Sequence, residues 1–156
     1  MFTRTANLHV VCTPEQAFRH IALEFFTNHP RWDPDLVEVT KTSSGPIGVG
    51  TTGREVRNFN GRRFISGFRV TRFEPLSAFS VRTTEGAMAE NVDYDITSEG
   101  SGSEVLLRLE LAPRNFAIRL LGPFIWPRVE KNYLRNVARF EELLNLLNPQ
   151  VLEAPS

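Results

Sequence analysis

The chain has 156 residues, enough for one domain with a substantial hydrophobic core. Hydrophobic residues make up 41% and charged residues 23%, proportions that are typical of a globular protein and exclude a disordered chain. Lysine plus arginine and aspartate plus glutamate number 18 each. The balanced charge offers no general attraction to polyanions, and we predict no nucleic-acid partner.

The single cysteine and the absence of long apolar runs indicate the compartment. Cys12 has no second cysteine to pair with, so an internal disulfide is excluded and a reducing compartment is favoured. The first seven residues lack an apolar signal core, and no apolar run approaches the roughly 20 residues that span a bilayer. We therefore predict a cytoplasmic protein.

The first elements are a strand and two short helices. Residues 6–12 alternate like a strand, with one apolar face. Thr13 can cap the helix that follows, Pro14 suits its first position, and Gln16 completes an approximate capping box. A second short helix or turn reaches the break at His29-Pro30.

Six strands follow in succession. The alternation predicts them over 36–42, 51–59, 62–73, 77–84, 88–97 and 104–111. Asn60-Gly61 between the second and third of these strands is a strong hairpin signal. The short connections favour antiparallel pairing of neighbouring strands.

The last elements are helical. Residues 115–121 predict a short amphipathic turn that ends at Gly122-Pro123, and a long helix is predicted over 127–147. Its apolar stripe contains Val129, Tyr133, Val137, Phe140, Leu144 and Leu147. We predict one domain over residues 1–148 and a flexible tail over 149–156.

Two stretches carry a family resemblance. Residues 28–39 contain the turn Trp32-Asp33-Pro34 before a strand, and residues 45–51 form a glycine-rich hairpin. The pair resembles the START-like or helix-grip (SRPBCC-like) superfamily of polyketide cyclase/dehydrase and lipid-transport proteins. The resemblance implies an α+β helix-grip fold, in which a curved antiparallel sheet of about seven strands wraps around a long C-terminal helix. Two short helices would follow the first strand, and a pocket would lie between sheet and long helix.

The strand alternation suggests which side chains face that pocket. Tyr94 alternates in phase with Val92, and Arg54 and Asn58 share a face with Val56. Apolar walls with a few polar groups are what a small-molecule site requires. The alternative is that the same residues fill a closed core. The predicted ligand-binding residues are Arg54, Asn58, Phe64, Ser66, Phe68, Phe79, Val92, Tyr94, Leu107, Leu109, Tyr133, Asn136, Val137 and Phe140.

Three functions are compatible with this pocket. The first is binding of a hydrophobic small molecule such as a lipid, a quinone or a polyketide-like aromatic. The second, by analogy with the fold, is a polyketide cyclase/dehydrase-type enzyme without metal or other cofactor, with Tyr94, Tyr133 and Arg54 as catalytic candidates. The third is a protein-interaction module.

Other reactive residues point to no site. Asp93 and Asp95 share the strand face opposite Tyr94, which we interpret as solvent-exposed. The three histidines are scattered without ligand spacing, so no metal site is predicted. Cys12 is expected to pack as a small apolar residue.

A basic strip accompanies the last helix. It comprises Arg114, Arg119, Arg128, Lys131, Arg135 and Arg139. One hypothesis is docking on an anionic membrane surface. The preferred one is the ordinary solvated face of an amphipathic helix, with at most transient membrane contact. The apolar segment 116–126 beside it either forms a pocket lid or turns the chain onto the sheet.

Overall fold

The computed structural model describes residues 1–147. The strands are β1 (Phe2–Val10), β2 (Leu36–Lys41), β3 (Thr52–Phe59), β4 (Arg62–Glu74), β5 (Ala78–Glu85), β6 (Met88–Glu99) and β7 (Gly102–Pro113). The helices are α1 (Pro14–Phe18), α2 (Phe25–Trp32), α3 (Phe116–Leu120) and α4 (Gly122–Asn145), and a π-helical turn (Arg19–Leu23) joins α1 to α2. The predicted tail, 149–156, lies outside the described residues.

All seven strands form one curved antiparallel sheet in the order β1-β7-β6-β5-β4-β3-β2. Consecutive strands from β2 to β7 are neighbours, and β1 closes the row by pairing with β7. The predicted helix-grip fold class is confirmed.

Local sequence signals explain several element boundaries. The Thr13 hydroxyl accepts a hydrogen bond from the Gln16 backbone N–H, and the Gln16 side chain accepts one from the Thr13 N–H, which completes the predicted capping box. Asn60 and Gly61 both have positive φ, 51° and 75°, as a two-residue hairpin turn requires.

The long helix α4 begins earlier than predicted. It starts at Gly122, and Pro127 lies inside it instead of at its start. A proline inside a helix removes one backbone hydrogen bond, but it does not end this helix. None of the helices between residues 1 and 147 combines the length and apolar content that crossing a bilayer requires.

The core lies between the sheet and the helices. Its main cluster joins α1, α2 and α4 to the inner face of the sheet, with Phe79, Tyr94 and Phe140 almost fully buried. A smaller cluster around Phe2 and Tyr133 fills the end of the sheet near α4. The two clusters place a band of aromatic side chains along the concave face.

Candidate functional site

A small internal cavity lies where α2 faces strands β3 to β6. It is lined by Phe25, His29, Glu55, Phe68, Val81, Thr83, Glu90, Val92 and Tyr94. Its volume is about 20 Å³, room for about one water molecule. The walls are mostly apolar, but two carboxyl groups and one imidazole reach them.

The turn after α2 supplies an ion pair beneath the cavity. Asp33 follows the last residue of α2 and is buried, and its Oδ2 lies 2.8 Å from a terminal guanidinium nitrogen (Nη2) of Arg57 on β3. Burial alone would raise the pKa of Asp33. The Arg57 guanidinium, together with His29 and the backbone N–H of Asp35, outweighs burial and holds the pKa below its ordinary value. Asp33 is therefore an anion at neutral pH.

Arg57 connects this pair to the cavity wall. The same nitrogen (Nη2) of Arg57 lies 3.8 Å from Oε1 of Glu55, a buried carboxyl two residues earlier on β3. Burial opposes the charge of the guanidinium, but Asp33 and Glu55 together raise the pKa of Arg57. Burial raises the pKa of Glu55 despite the attraction of Arg57. One guanidinium is thus shared between two acids.

Glu90 on β6 adds a third acid. The hydroxyl of Thr83 accepts a hydrogen bond of 2.8 Å from the Glu90 backbone N–H. Burial, followed by repulsion from the Glu55 carboxylate, raises the pKa of Glu90 to about 7. A carboxyl with that pKa can give up or take up a proton near neutrality.

Two aromatic residues complete the polar part of the cavity. His29 stacks on Trp32 with ring centroids 4.4 Å apart, and burial lowers its pKa to about 4, so the imidazole is neutral. The side chain of Tyr94 is almost fully buried, and no residue in 1–147 hydrogen-bonds its hydroxyl. Burial, followed by the Glu90 charge, raises the pKa of Tyr94, so the phenol remains a hydrogen-bond donor.

The structure brings part of the predicted ligand-binding set to the cavity. Phe68, Val92 and Tyr94 line it. Others pack in the adjoining core or lie beside the cavity: Phe79, Leu107, Val137 and Phe140 in the main cluster, Leu109 and Tyr133 in the smaller one, and the half-buried Phe64 and Ser66 opposite Arg57 and Glu55 on β4. Asn136 is half-buried on α4, where its side chain accepts hydrogen bonds from Arg135. Whether any of them contacts a ligand stays a prediction.

The predicted orientation of Arg54 and Asn58 is not what the structure shows. Both side chains are exposed, and Arg54 lies 3.8 Å from Glu38. A side chain at Gly53 would point at the rings of Phe68 and Phe26, so position 53 faces the core. Because side chains alternate along a strand, Glu55 and Arg57 face the same side. Arg57, not Arg54, is therefore the arginine on the inner side of β3.

Sequence reasoning missed the charged residues of the site. Charged residues on a strand are normally expected to face solvent, and this applied to Glu55, Arg57 and Glu90. Asp33 was noted only as part of a turn. One signal was available: a glycine inside a strand often marks a close approach of another group, and Gly53 would have fixed the phase of β3.

Two other reactive groups lie outside the cavity. Cys12 is fully buried in the core, and burial raises its pKa to about 11, so its thiol stays protonated. His9 lies on the surface with Glu99 and Glu104, their potential ligand atoms within 4.8 Å of one another. A hydrogen bond of 2.9 Å to Glu99 raises the pKa of His9. An ion pair between His9 and Glu99 therefore explains why these side chains lie together.

Comparison with known proteins agrees with this architecture. Residues 1–145 match the family model described as polyketide cyclase/dehydrase and lipid transport. The chain belongs to that family. Among curated proteins, none matches the sequence.

Several solved structures share the fold at low identity. A START superfamily protein from Mycobacterium smegmatis has a TM-score of 0.74 at 11% identity, covering 94% of this chain and 99% of its own. TTHA0849 from Thermus thermophilus has a TM-score of 0.71 at 19% identity, covering 99% and 100%. The ZhuI aromatase/cyclase from Streptomyces sp. R1128 has a TM-score of 0.71 at 12% identity, covering 96% and 95%.

Proposed function

We propose that this protein binds a hydrophobic small molecule carrying a carbonyl or hydroxyl group, of the lipid, quinone or polyketide-like aromatic class. The observation that carries the proposal is the composition of the cavity. Phe25, Phe68 and Val92 offer apolar walls, whereas Glu90 and Tyr94 offer a carboxyl and an unpartnered hydroxyl. A few polar groups in an apolar cavity fix the orientation of a ligand.

The size of the cavity means that binding requires an opening. Small-molecule sites enclose roughly 300–1,000 Å³, whereas this cavity holds about 20 Å³. The element best suited to move is α2, because a π-helical turn precedes it and Pro30 interrupts its hydrogen bonding. Outward movement of α2 would carry Phe25 and His29 away from Phe68 and Tyr94.

Filling the cavity tests the binding function. Val92→Trp is expected to weaken binding of 1-anilinonaphthalene-8-sulfonate by about tenfold or more, because the indole occupies the space that the probe needs. Ile65→Trp is the matched control, since Ile65 is 52% exposed on β4. Fluorescence titration measures both affinities, and near-UV circular dichroism checks that both variants fold.

Equal affinities for Val92→Trp and Ile65→Trp would contradict binding in this cavity. Native mass spectrometry of the freshly purified protein, with analysis of its organic extract, identifies the chemical class of a bound ligand. A reproducible adduct that Val92→Trp loses supports the proposal.

Acid–base catalysis is the second candidate function, and the raised pKa of Glu90 favours it. A carboxyl group with a pKa of about 7 can protonate or deprotonate a carbonyl compound held against Tyr94. Glu90→Gln keeps the shape and hydrogen-bonding capacity but cannot transfer a proton. If the compound recovered in the extract is turned over, Glu90→Gln should lower kcat by about 10²–10⁴-fold with little change in affinity.

The exposed residue Glu85 supplies the matched control for catalysis. Glu85→Gln should leave kcat unchanged, and the wild-type pH–rate profile should bend near pH 7, where Glu90 titrates. If Glu90→Gln changes neither the pH–rate profile nor kcat, Glu90 is not the acid–base catalyst. The proposed binding function would not be affected by that result.

A further inference from the structure

Four large apolar side chains crowd one exposed end of the molecule. Phe116 is 70% exposed, Leu120 62%, Leu121 52% and Phe124 81%. They lie within nine consecutive positions that include α3 and the first turn of α4. We call these four residues the apolar tip. Within residues 1–147, Phe116 and Phe124 are the only exposed phenylalanines.

The proposed ligand cavity does not account for the apolar tip. None of its four residues lines the cavity or belongs to either core cluster. A groove of about 500 Å³ lies beside it, lined by residues that include Met1, Arg119 and Trp126. Exposed apolar residues that are scattered need no explanation, but a contiguous group indicates a contact surface.

Charge around the apolar tip is strongly asymmetric. Residues 114–139 contain six basic residues and one acidic residue, a net charge of +5, so the remainder of this neutral chain carries −5. Arg135 and Glu130 are paired with Asp35 and Arg4. Arg119, Arg128 and Lys131 make no ion pair with any residue in 1–147, so their charges are available to a partner.

We propose that the apolar tip docks on an anionic lipid surface. Phenylalanine and leucine side chains would enter the boundary between headgroups and acyl chains, and Arg119, Arg128 and Lys131 would contact anionic headgroups. Trp126, which lines the adjoining groove, is the kind of residue that lies at headgroup level. The proposal does not depend on whether the cavity binds a ligand.

Charge decides between this occupant and a second copy of the chain. A two-fold dimer through the apolar tip would bring Arg119, Arg128 and Lys131 of one copy close to those of the other, and these charges, unpaired within residues 1–147, would repel each other. An anionic bilayer is apolar inside and negative at its surface, so it complements both properties of the tip.

Vesicle flotation tests the proposal. Full-length protein is expected to float with vesicles of phosphatidylcholine and phosphatidylglycerol, and not with phosphatidylcholine alone, and binding should fall as salt rises. Phe116→Ser with Phe124→Ser should abolish flotation. Changing Arg119, Arg128 and Lys131 to glutamine should weaken it by about a hundredfold, at roughly fivefold for each basic residue removed.

Matched controls come from the far side of the molecule. Val49→Ser removes an apolar residue that is 69% exposed, and Arg19→Gln with Arg69→Gln removes exposed charge at the opposite end of the sheet, where Gly50 bonds to Val70 and Val10 lies opposite Ser103. These variants should bind vesicles like the wild type. Brominated lipid should quench Trp126 fluorescence, and Trp126→Phe should remove the quenching because Trp32 is buried in the core.

Several results would overturn the proposal. Failure of the wild-type protein to float with anionic vesicles would contradict docking on lipid. Equal loss of flotation in the tip variants and in the control variants would show that the tip has no specific role. Sedimentation that shows a dimer, which Phe116→Ser with Phe124→Ser dissociates, would assign the tip to a second copy. Tip-dependent capture of an acidic protein by a chain that does not bind vesicles would assign it to a protein partner.

Discussion

Asp33 balances the charge of Arg57 where water has little access. The Asp33 side chain is 4% exposed and that of Arg57 24%, and their closest atoms lie 2.8 Å apart. Bringing two charges out of water is costly, and their mutual attraction offsets the cost only while both partners are present. The stability contribution of Arg57 therefore depends on Asp33.

Asp33→Asn is expected to lower the free energy of unfolding by about 3 kcal/mol, because it leaves the largely buried guanidinium of Arg57 with only the more distant Glu55 carboxyl at 3.8 Å. Asp35→Asn is the matched control two residues away. The Asp35–Arg135 pair is more exposed, so its loss should cost less than about 1 kcal/mol. Urea unfolding at pH 7 measures both, and equal losses would contradict the assigned role.

The pH dependence of that difference has a definite sign. The pKa of Asp33 is lower in the folded protein than its ordinary value, so its contribution to stability is present above the ordinary carboxyl range and lost as pH falls. Wild type and Asp33→Asn should therefore converge in stability as pH falls below about 4. A gap that does not narrow as pH falls below that value would point to packing rather than charge.

Sequence patterns identify individual apolar residues better than charged ones. The stripe on the last helix predicted Tyr133, Phe140 and Leu144, and all three are buried. Glu55 and Arg57 were missed because a charged residue on a strand ordinarily faces water. The approach of Asp33 from the end of α2, a tertiary contact, compensates the burial of Arg57, and Arg57 in turn attracts the Glu55 carboxyl.

Strand β3 shows that a shift of one residue in the predicted alternation exchanges the inward-facing and outward-facing side chains. Its sequence has charged residues in both phases, Arg54 on one side and Glu55 and Arg57 on the other, so alternation gave no apolar face to orient it. The apolar residue Val56 led to the prediction that Arg54 and Asn58, which share its face, point inward. The packing of Phe26 and Phe68 over Gly53 decides the orientation.

That packing makes Gly53 intolerant of a side chain. A Cβ at position 53 would lie 2.7 Å from Cε2 of Phe68 and 2.8 Å from Cε1 of Phe26, so Gly53→Ala should lower the free energy of unfolding by about 1–3 kcal/mol. Gly48→Ala, where a Cβ meets nothing within 4 Å, should change it by less than about 1 kcal/mol. Urea denaturation compares them, and a stable Gly53→Ala would show that the rings can move aside.

The whole architecture was predictable because many weak signals agree. The capping box, the Asn60-Gly61 hairpin and the long amphipathic helix each specify one local feature, and their order along the chain matches one fold class. The ligand was not predictable in the same way, because its binding depends on side chains that meet only after folding.

Opening of the cavity should control the rate of binding. Because the cavity holds about 20 Å³, a ligand can enter only a rarer, expanded state. The observed rate of 1-anilinonaphthalene-8-sulfonate binding should level off at high probe concentration, at the rate of opening. Phe25→Ala, which enlarges the cavity, should raise the plateau. Stopped-flow fluorescence measures both, and a rate that rises linearly without a plateau would contradict a closed resting state.

The pairing of β1 with β7 affects how the chain folds as it is made. Phe2 lies opposite Leu111 and Val10 opposite Ser103, so β1 has no sheet partner until residues 103–111 have left the ribosome. During that interval the first strand emerges with its apolar face uncovered, and the distant closure makes folding slow relative to a helical protein of the same length. Nascent chains are therefore most exposed to chaperones, and to aggregation, before the seventh strand is synthesised.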